Sequence, residues 1–274
     1  MITKRISAIL ITLALTLGVT AAAPEVSPYH PWKGLKIAYL GDSITDANHS
    51  PKTKKYWQWL AEWLDTTPYV YAKSGRQWTD LERQANLLDS EHATDFDAIM
   101  VFMGTNDYMH DTAMGEWYTE VTETVEFALG SPKHPAPLRK RVLNMNSDTY
   151  KGRINKALDM LKTRYPDKQI VLLTPIHRAG FYANEKNWQP GEDYANRLGL
   201  YLDDYVNAVI EASSIWSVPV INIYSLSGLY PLNDAYTGYF TNADKDRLHP
   251  NTDGHYRMAL TLLYQLASLP GKLQ

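Results

Sequence analysis

The sequence predicts an α/β fold, a three-layer α/β/α sandwich built on a five-stranded parallel sheet. Three observations carry that prediction. Five short, largely apolar runs are spread along the chain, at Leu35–Leu40, Pro68–Ala72, Asp97–Met103, Gln169–Thr174 and Val218–Ile223. Apolar residues at helical spacing fill most of the intervals between them. Strands alternating with helices call for right-handed crossovers, which give a parallel sheet covered on both faces.

Residues 1–22 read as a signal peptide rather than as part of that fold. Lys4 and Arg5 open the segment, Ile6–Val19 is almost entirely apolar, and Ala21, Ala22 and Ala23 offer small residues for cleavage. The apolar run is short for a membrane span. The expectation is export to the periplasm or outside the cell, with no stable membrane insertion once the leader is cut. Losing Lys4 and Arg5 with the leader takes the formal charge from -3 to -5. Nothing in that balance marks a nucleic-acid partner. The chain has no cysteine, so disulfides are excluded and the compartment rests on the leader alone.

The remaining chain, about 250 residues, fits a single domain, expected over residues 30–270. Pro24–Trp32 reads as an extended lead-in. In Leu35–Leu40 five of six residues are apolar, as in a buried strand, and Gly41-Asp42-Ser43 then turns the chain. A helix is expected over Tyr56–Leu64, with Trp57, Leu60 and Leu64 on one stripe and Trp59 and Trp63 beside it. Those two tryptophans either pack on the core or stack on sugar rings. Further helices are expected at Trp78–Ser90 (Leu81, Ala85 and Leu88 inward), Tyr150–Tyr165 (Ile154, Leu158, Leu161 and Tyr165), Tyr194–Ser214 (Leu198, Leu202, Tyr205 and Val209) and Thr252–Ala267 (Ala259, Leu262, Leu263 and Leu266). Two connections are too long to be simple crossovers. Tyr108–Asp148 reads as partly helical at best, and His177–Asp193 follows the fourth strand. Long loops in such domains tend to carry function or cover a site.

Chemistry-bearing residues fall at the strand ends. Ser43 follows the first strand, Gly75 the second and Asn106 the third, while Asp246-Arg247-Leu248-His249-Pro250 precedes the last helix. In a doubly wound sheet these loops open on one edge, where ligands bind. A serine, a histidine base and neutral donors are the parts needed for acyl transfer through a tetrahedral intermediate.

Four blocks, G-D-S-I-T at Gly41–Thr45, S-G at Ser74-Gly75, G-T-N-D at Gly104–Asp107 and D-R-L-H at Asp246–His249, make the chain resemble the SGNH hydrolases, the GDSL-type esterases and lipases. The resemblance covers about Lys36–Leu266. The second block departs from the common pattern by reading A-K-S-G, but it keeps the glycine. The resemblance implies a flavodoxin-like SGNH hydrolase fold. It also implies Ser43 as nucleophile, His249 as general base and acid, and Asp246 as the residue that orients His249. The Ser43 N–H, the Gly75 N–H and the Asn106 amide would form the oxyanion hole. Glycine leaves its N–H open to approach, and an amide donates without titrating.

Neither a cofactor nor a metal is called for. His49, His110 and His134 lie near carboxylates in sequence, but their spacing matches no metal-binding motif. Asp42 and Asp107 are expected to hold turns by accepting nearby backbone N–H groups. Aromatic residues are plentiful, with Trp 8 and Tyr 19, and several sit in the long loops. Arg76, His177, Arg178, Tyr182 and Trp188 are the expected substrate contacts. The partner is then a small-molecule or glycan ester, and the favoured reaction is O-deacetylation of a carbohydrate. A lipid-directed esterase of the same fold and a non-catalytic secreted glycan-binding protein are the alternatives. Oligomeric state is not legible.

Overall fold

The five apolar runs pair side by side, in register, as one parallel sheet. The computed structural model describes residues 23–273, so the expected leader lies outside them. Taken in chain order, the elements begin with β1 (Lys36–Gly41), α1 (Tyr56–Leu64), β2 (Thr67–Val70), α2 (Leu81–His92), β3 (Ala98–Phe102) and α3 (Thr105–Met109). Next come β4 (Tyr118–Phe127), β5 (His134–Leu143), α4 (Tyr150–Arg164), β6 (Gln169–Leu173), β7 (Phe181–Asn184) and β8 (Asn187–Gln189). The chain closes with α5 (Leu202–Trp216), β9 (Val220–Ile221), α6 (Ile223–Leu226), β10 (Phe240–Asn242), β11 (Asp246–Pro250) and α7 (Thr252–Leu266).

The main sheet runs β2-β1-β3-β6-β9, every pair parallel. Side chains alternate across it, as the period of a strand requires. Ala38, Leu40, Ile99, Val101, Ile170 and Leu172 face α2, α4 and α5. Ile37, Tyr39, Met100, Phe102, Val171 and Leu173 face α1 and α7. Both faces of the strands are buried, which is why the runs read as continuously apolar. Between β1 and β3 the winding of the sheet reverses, so the loops after these strands splay apart and leave a crevice.

Three expectations need correction. The Tyr108–Asp148 connection is not partly helical beyond the short α3. It forms a long antiparallel hairpin, β4 against β5, with Tyr118 opposite Leu143 and Phe127 opposite His134. Alternation of Val121, Val125 and Phe127 with polar residues is the strand period. The helix expected from Tyr194 begins only at Leu202. Asn196 accepts from the Leu198 and Leu200 N–H groups and Gly199 takes a positive φ of 78°, so the chain turns there and Leu198 is exposed. The fifth strand shrinks to two residues because the Asn222 side chain caps α6 by accepting from the Ser225 N–H. The His177–Asp193 loop carries the β7–β8 hairpin, which joins β11 and β10 in a second sheet, order β10-β11-β7-β8. The helix of Tyr56–Leu64 stands as read. Its Trp59 and Trp63 meet Tyr256 of α7 edge-on at 5.2 and 5.3 Å, a packing role.

Gly104 joins β3 to α3 with φ +131°, and a Cβ there would lie 2.5 Å from Tyr150 Oη and 2.9 Å from Pro175 Cγ. Gly104→Ala is expected to cost about 2 kcal/mol or more, through backbone strain and overpacking. Urea denaturation checks this; an unchanged midpoint would contradict it.

Candidate active site

At the carboxyl edge of the sheet the chain ends β1 in Gly41, whose peptide is fixed by a buried glutamine. Gln84 of α2 accepts from the Gly41 N–H at 2.8 Å and donates to the Gly41 carbonyl at 2.9 Å. A Cβ on Gly41 would lie 2.9 Å from the Phe102 carbonyl, so only glycine fits against β3 here. Asp42 then accepts from the Ile44 N–H at 3.1 Å and tightens the turn that carries Ser43.

Ser43 Oγ lies 2.9 Å from His249 Nε2. His249 Nδ1 lies 3.0 Å from both carboxylate oxygens of Asp246. A carboxylate can only accept, so Nδ1 carries the ring proton and Nε2 is left to accept from the serine hydroxyl. Asp246 also accepts from the His249 N–H at 3.0 Å, so one short segment sets both groups. That segment is β11 rather than a free loop. It is held by β10 on one side and by β7 on the other, where Asp246 pairs with Phe181. The His249 ring sits between the Phe181 ring, edge-on at 5.0 Å, and the His49 ring at 4.2 Å. Ser43 and His249 are buried, each 4% exposed.

The other loops of this edge arrive beside them. Asn106 lies in the first turn of α3; its amide donates to the Arg76 carbonyl at 2.9 Å and, at 3.4 Å, to Asp42. Gly75 adopts φ +77°, and nothing lies within 4 Å of where its Cβ would be. Its conformation demands glycine, and the space in front of it is open. The arrangement offers a nucleophile hydrogen-bonded to an oriented base, with a glycine loop and a side-chain amide on neighbouring strand ends. Those are the components of acyl transfer.

The comparisons with known proteins agree with this geometry. Residues 39–257 match the model of the GDSL-like Lipase/Acylhydrolase family. The chain belongs to that family. Membership makes it an esterase or acylhydrolase of the SGNH type. Among solved structures, it is similar to a protein from Lactobacillus plantarum at 23% identity and TM-score 0.65, over 86% of this chain and 98% of that one. A possible lipase from Chitinophaga pinensis matches at 21% identity and TM-score 0.62, over 88% and 100%. A catalytic mutant of an acetylxylan esterase from Geobacillus stearothermophilus matches at 19% identity and TM-score 0.50, over 85% and 94%. At such identities the likeness is one of fold. No curated protein matches the sequence.

Within this hydrolase the five expected substrate contacts fall in different places. Arg178 is 1% exposed and spends its guanidinium inside the protein. It donates to Thr105 Oγ1 at 3.3 Å, to Gln189 Oε1 at 2.8 Å and to the Pro190 carbonyl at 3.4 Å. Substrate contact at Arg178 is therefore corrected to a tie between α3 and the β7–β8 hairpin. His177 has its Nδ1 on Glu192 and its ring stacked on Tyr224 at 3.6 Å. Arg76 pairs with Asp80 at 3.2 Å, while its carbonyl holds Asn106. Tyr182 and Trp188 pair directly across the hairpin and meet edge-on at 6.1 Å. They lie on the face opposite Phe181, so they point away from His249. Trp188 is 77% exposed.

Sequence reasoning missed Gln84 and Glu192, and it weighed His49 only as a metal ligand. Gln84 left a signal, being a polar residue on the inward stripe of Leu81, Ala85 and Leu88. Glu192 and His49 had none, since their partners are set by loop packing. Among the described residues, no group of three or more His, Cys, Asp or Glu side chains could hold a metal ion. His110 has its Nδ1 on the Asn106 carbonyl, and His134 lies on the distant hairpin strand β5.

Burial dominates the electrostatics. It pushes the Asp42 carboxyl up to about 7, against the Ile44 N–H and with the help of Asp107. It pushes Asp107 up to about 6, against the pull of Arg153. It pushes His49 down to about 4, with His249 adding to the fall, so His49 stays neutral beside the base. Asp42 has a folded-state value above the unfolded one of about 3.9. Its contribution to stability is complete below that value and is lost as pH rises through about 7. Asp42→Asn removes this loss and leaves that of Asp107 in place. Urea midpoints at about pH 5 and about pH 8 are expected to differ less in the variant than in the wild type; equal differences would contradict the assignment.

Proposed function

We propose that this hydrolase is an exported serine esterase that removes acetyl groups from a carbohydrate through an acyl-enzyme on Ser43. The hydrogen-bonded chain Ser43–His249–Asp246 is the observation that carries the catalytic part of the reading. His249 Nε2 takes the Ser43 proton as Oγ attacks the ester carbonyl. The electron pair of the C=O bond moves to oxygen, and the tetrahedral oxyanion is held by the Ser43 and Gly75 N–H groups and the Asn106 amide. One amide hydrogen of Asn106 stays on the Arg76 carbonyl. The other, only weakly engaged with Asp42, turns to the oxyanion. The intermediate collapses, the C–O bond to the sugar breaks, and His249 returns its proton to the departing hydroxyl. His249 then deprotonates a water that attacks the acetyl-serine; the bond from the carbonyl carbon to Ser43 Oγ breaks, His249 returns the proton to Oγ, and acetate leaves. Asp246 stays ionised and stabilises the imidazolium formed in each half.

The substrate class rests on other observations. Ser43 and His249 are enclosed, which suits a small acyl group. A fold relative is an acetylxylan esterase. The leader motif supports export.

The test is hydrolysis of p-nitrophenyl esters of increasing acyl length, followed by acetate release from acetylated polysaccharides, with Ser43→Ala in parallel. Acetate cleaved best, a steep fall beyond butyrate, acetate release from a polysaccharide and roughly 10³-fold or greater loss in Ser43→Ala are expected. Best turnover on octanoate or longer would transfer the reading to lipids. Activity surviving in Ser43→Ala would overturn the mechanism.

A further inference from the structure

The oxyanion hole of the proposed reaction is assembled from two loops that belong to different strands. The loop after β2 brings Gly75, and the turn into α3 brings Asn106. The loops are laced together: Asn106 donates to the Arg76 carbonyl, Gln77 Nε2 donates to the Asn106 carbonyl at 3.2 Å, and the Trp78 N–H donates to Asp107 at 3.3 Å. Each of these bonds is ordinary. What closes the set is a pair of residues from a third element.

Tyr150 and Arg153 lie three residues apart in the first turns of α4, on one face of the helix. Arg153 is mostly buried and serves both loops with one nitrogen. Its NH1 donates to Asp107 Oδ1 at 2.8 Å, to Thr112 Oγ1 at 2.9 Å and to Gln77 Oε1 at 3.3 Å. Its Nε donates to the Ser147 carbonyl at 2.7 Å, which fixes the plane of the guanidinium. Tyr150 is buried and does the same from above. Its hydroxyl accepts from Trp78 Nε1 at 3.2 Å and occupies the space over Gly104, where a Cβ would come within 2.5 Å of it. One residue holds Gln77 and Asp107, and the other holds Trp78 and Gly104. Each pair comprises one residue from either loop.

The helix end that presents them is itself immobilised. The Tyr150 N–H donates to the Ala113 carbonyl at 2.7 Å and the Lys151 N–H to the Met114 carbonyl at 3.0 Å. Gly152 has no room for a Cβ, which would lie 2.1 Å from the Asn146 carbonyl oxygen.

We propose that Tyr150 and Arg153 are positioning residues that set the spacing between the Gly75 and Asn106 donors of the oxyanion hole. Neither touches the reacting atoms. Donors must stand where charge develops in the transition state, and a small displacement weakens that interaction without altering ground-state binding. The proposal rests on the reading of Gly75 and Asn106 as oxyanion donors.

Steady-state kinetics on p-nitrophenyl acetate test it, with Arg153→Lys, Tyr150→Phe and the double variant Arg153→Met/Asp107→Asn. The double variant removes both charges together, so no buried carboxylate is left unpaired. Asn106→Ala is measured alongside, and each protein is also assayed for inhibition by a boronic acid, whose tetrahedral serine adduct presents an oxygen to the hole. The double variant is expected to lose about 10- to 100-fold in kcat, less than the roughly 10²–10³-fold loss from removing a donor outright. KM should stay within about twofold, and boronate affinity should fall in step with kcat. Arg153→Lys should recover part of the loss, and Tyr150→Phe should show the same split on a smaller scale. Folded variants with unchanged kcat and boronate affinity, beside a crippled Asn106→Ala, would overturn the proposal and leave the oxyanion reading standing. A rise in KM at constant kcat would also overturn it. An Asn106→Ala protein as active as the wild type would remove the oxyanion reading and the proposal with it.

Discussion

The site depends on the parting of two adjacent parallel strands. β1 and β3 lie in register along their length, with Gly41 opposite Phe102, and their chains then leave the sheet in different directions. The loop that carries Ser43 and the turn that carries Asn106 start from this pair, so their separation is set by the hydrogen-bonding distance of the sheet. Gly41 allows the approach, and Gln84 adds a bond to each end of the Gly41 backbone, accepting from its N–H and donating to its carbonyl. β11 then has to deliver His249 to Ser43 from outside the main sheet. It does so as the middle of a second sheet, with Phe181 against one side of the imidazole.

This construction places charge where water is scarce. Asp42, Asp46 and Asp107 are all buried close to Ser43 and Asn106. Desolvation works against the ionised forms of Asp42 and Asp107 and pulls both upward. Cations are buried among them. Arg153 pairs with Asp107, and Lys55, at 2% exposure, feels Asp46, Asp42 and Asp246 while burial lowers it to about 8. The balance leaves a polar, preorganised shell around the nucleophile. Such shells are expensive in folding free energy and useful in a transition state, where dipoles need not reorganise. His49 fits the same logic: held neutral, it packs on His249 without opposing the imidazolium that must form there.

Much of this was legible in the sequence because two periods and one topology rule suffice for the sheet. Continuous apolar runs with helices between them predict buried parallel strands, and the strand-end blocks then converge without further information. Ser43, Asp246 and His249 meet as the blocks imply. The failures have physical causes. Tyr108–Asp148 hid a hairpin, since two exposed strands with Glu, Thr, Lys and Arg on their faces offer little apolar contrast. The start of α5 was misplaced because apolar Leu198 extends the helical stripe across a turn made by Asn196 and Gly199. Arg178 looked available for substrate, but the residues that take its two terminal nitrogens, Thr105, Gln189 and Pro190, come from two other elements. Arg153 gave no sign at all, for the same reason.

Catalysis here requires that an acyl group pass through Ser43. The most direct measurement is intact-protein mass spectrometry of enzyme quenched in acid during turnover of p-nitrophenyl acetate, with peptide mapping of any adduct. A gain equal to one acetyl group is expected, mapped to Ser43 and absent in Ser43→Ala. Steady acetate release with no adduct at any quench time, and an undiminished rate in Ser43→Ala, would contradict it.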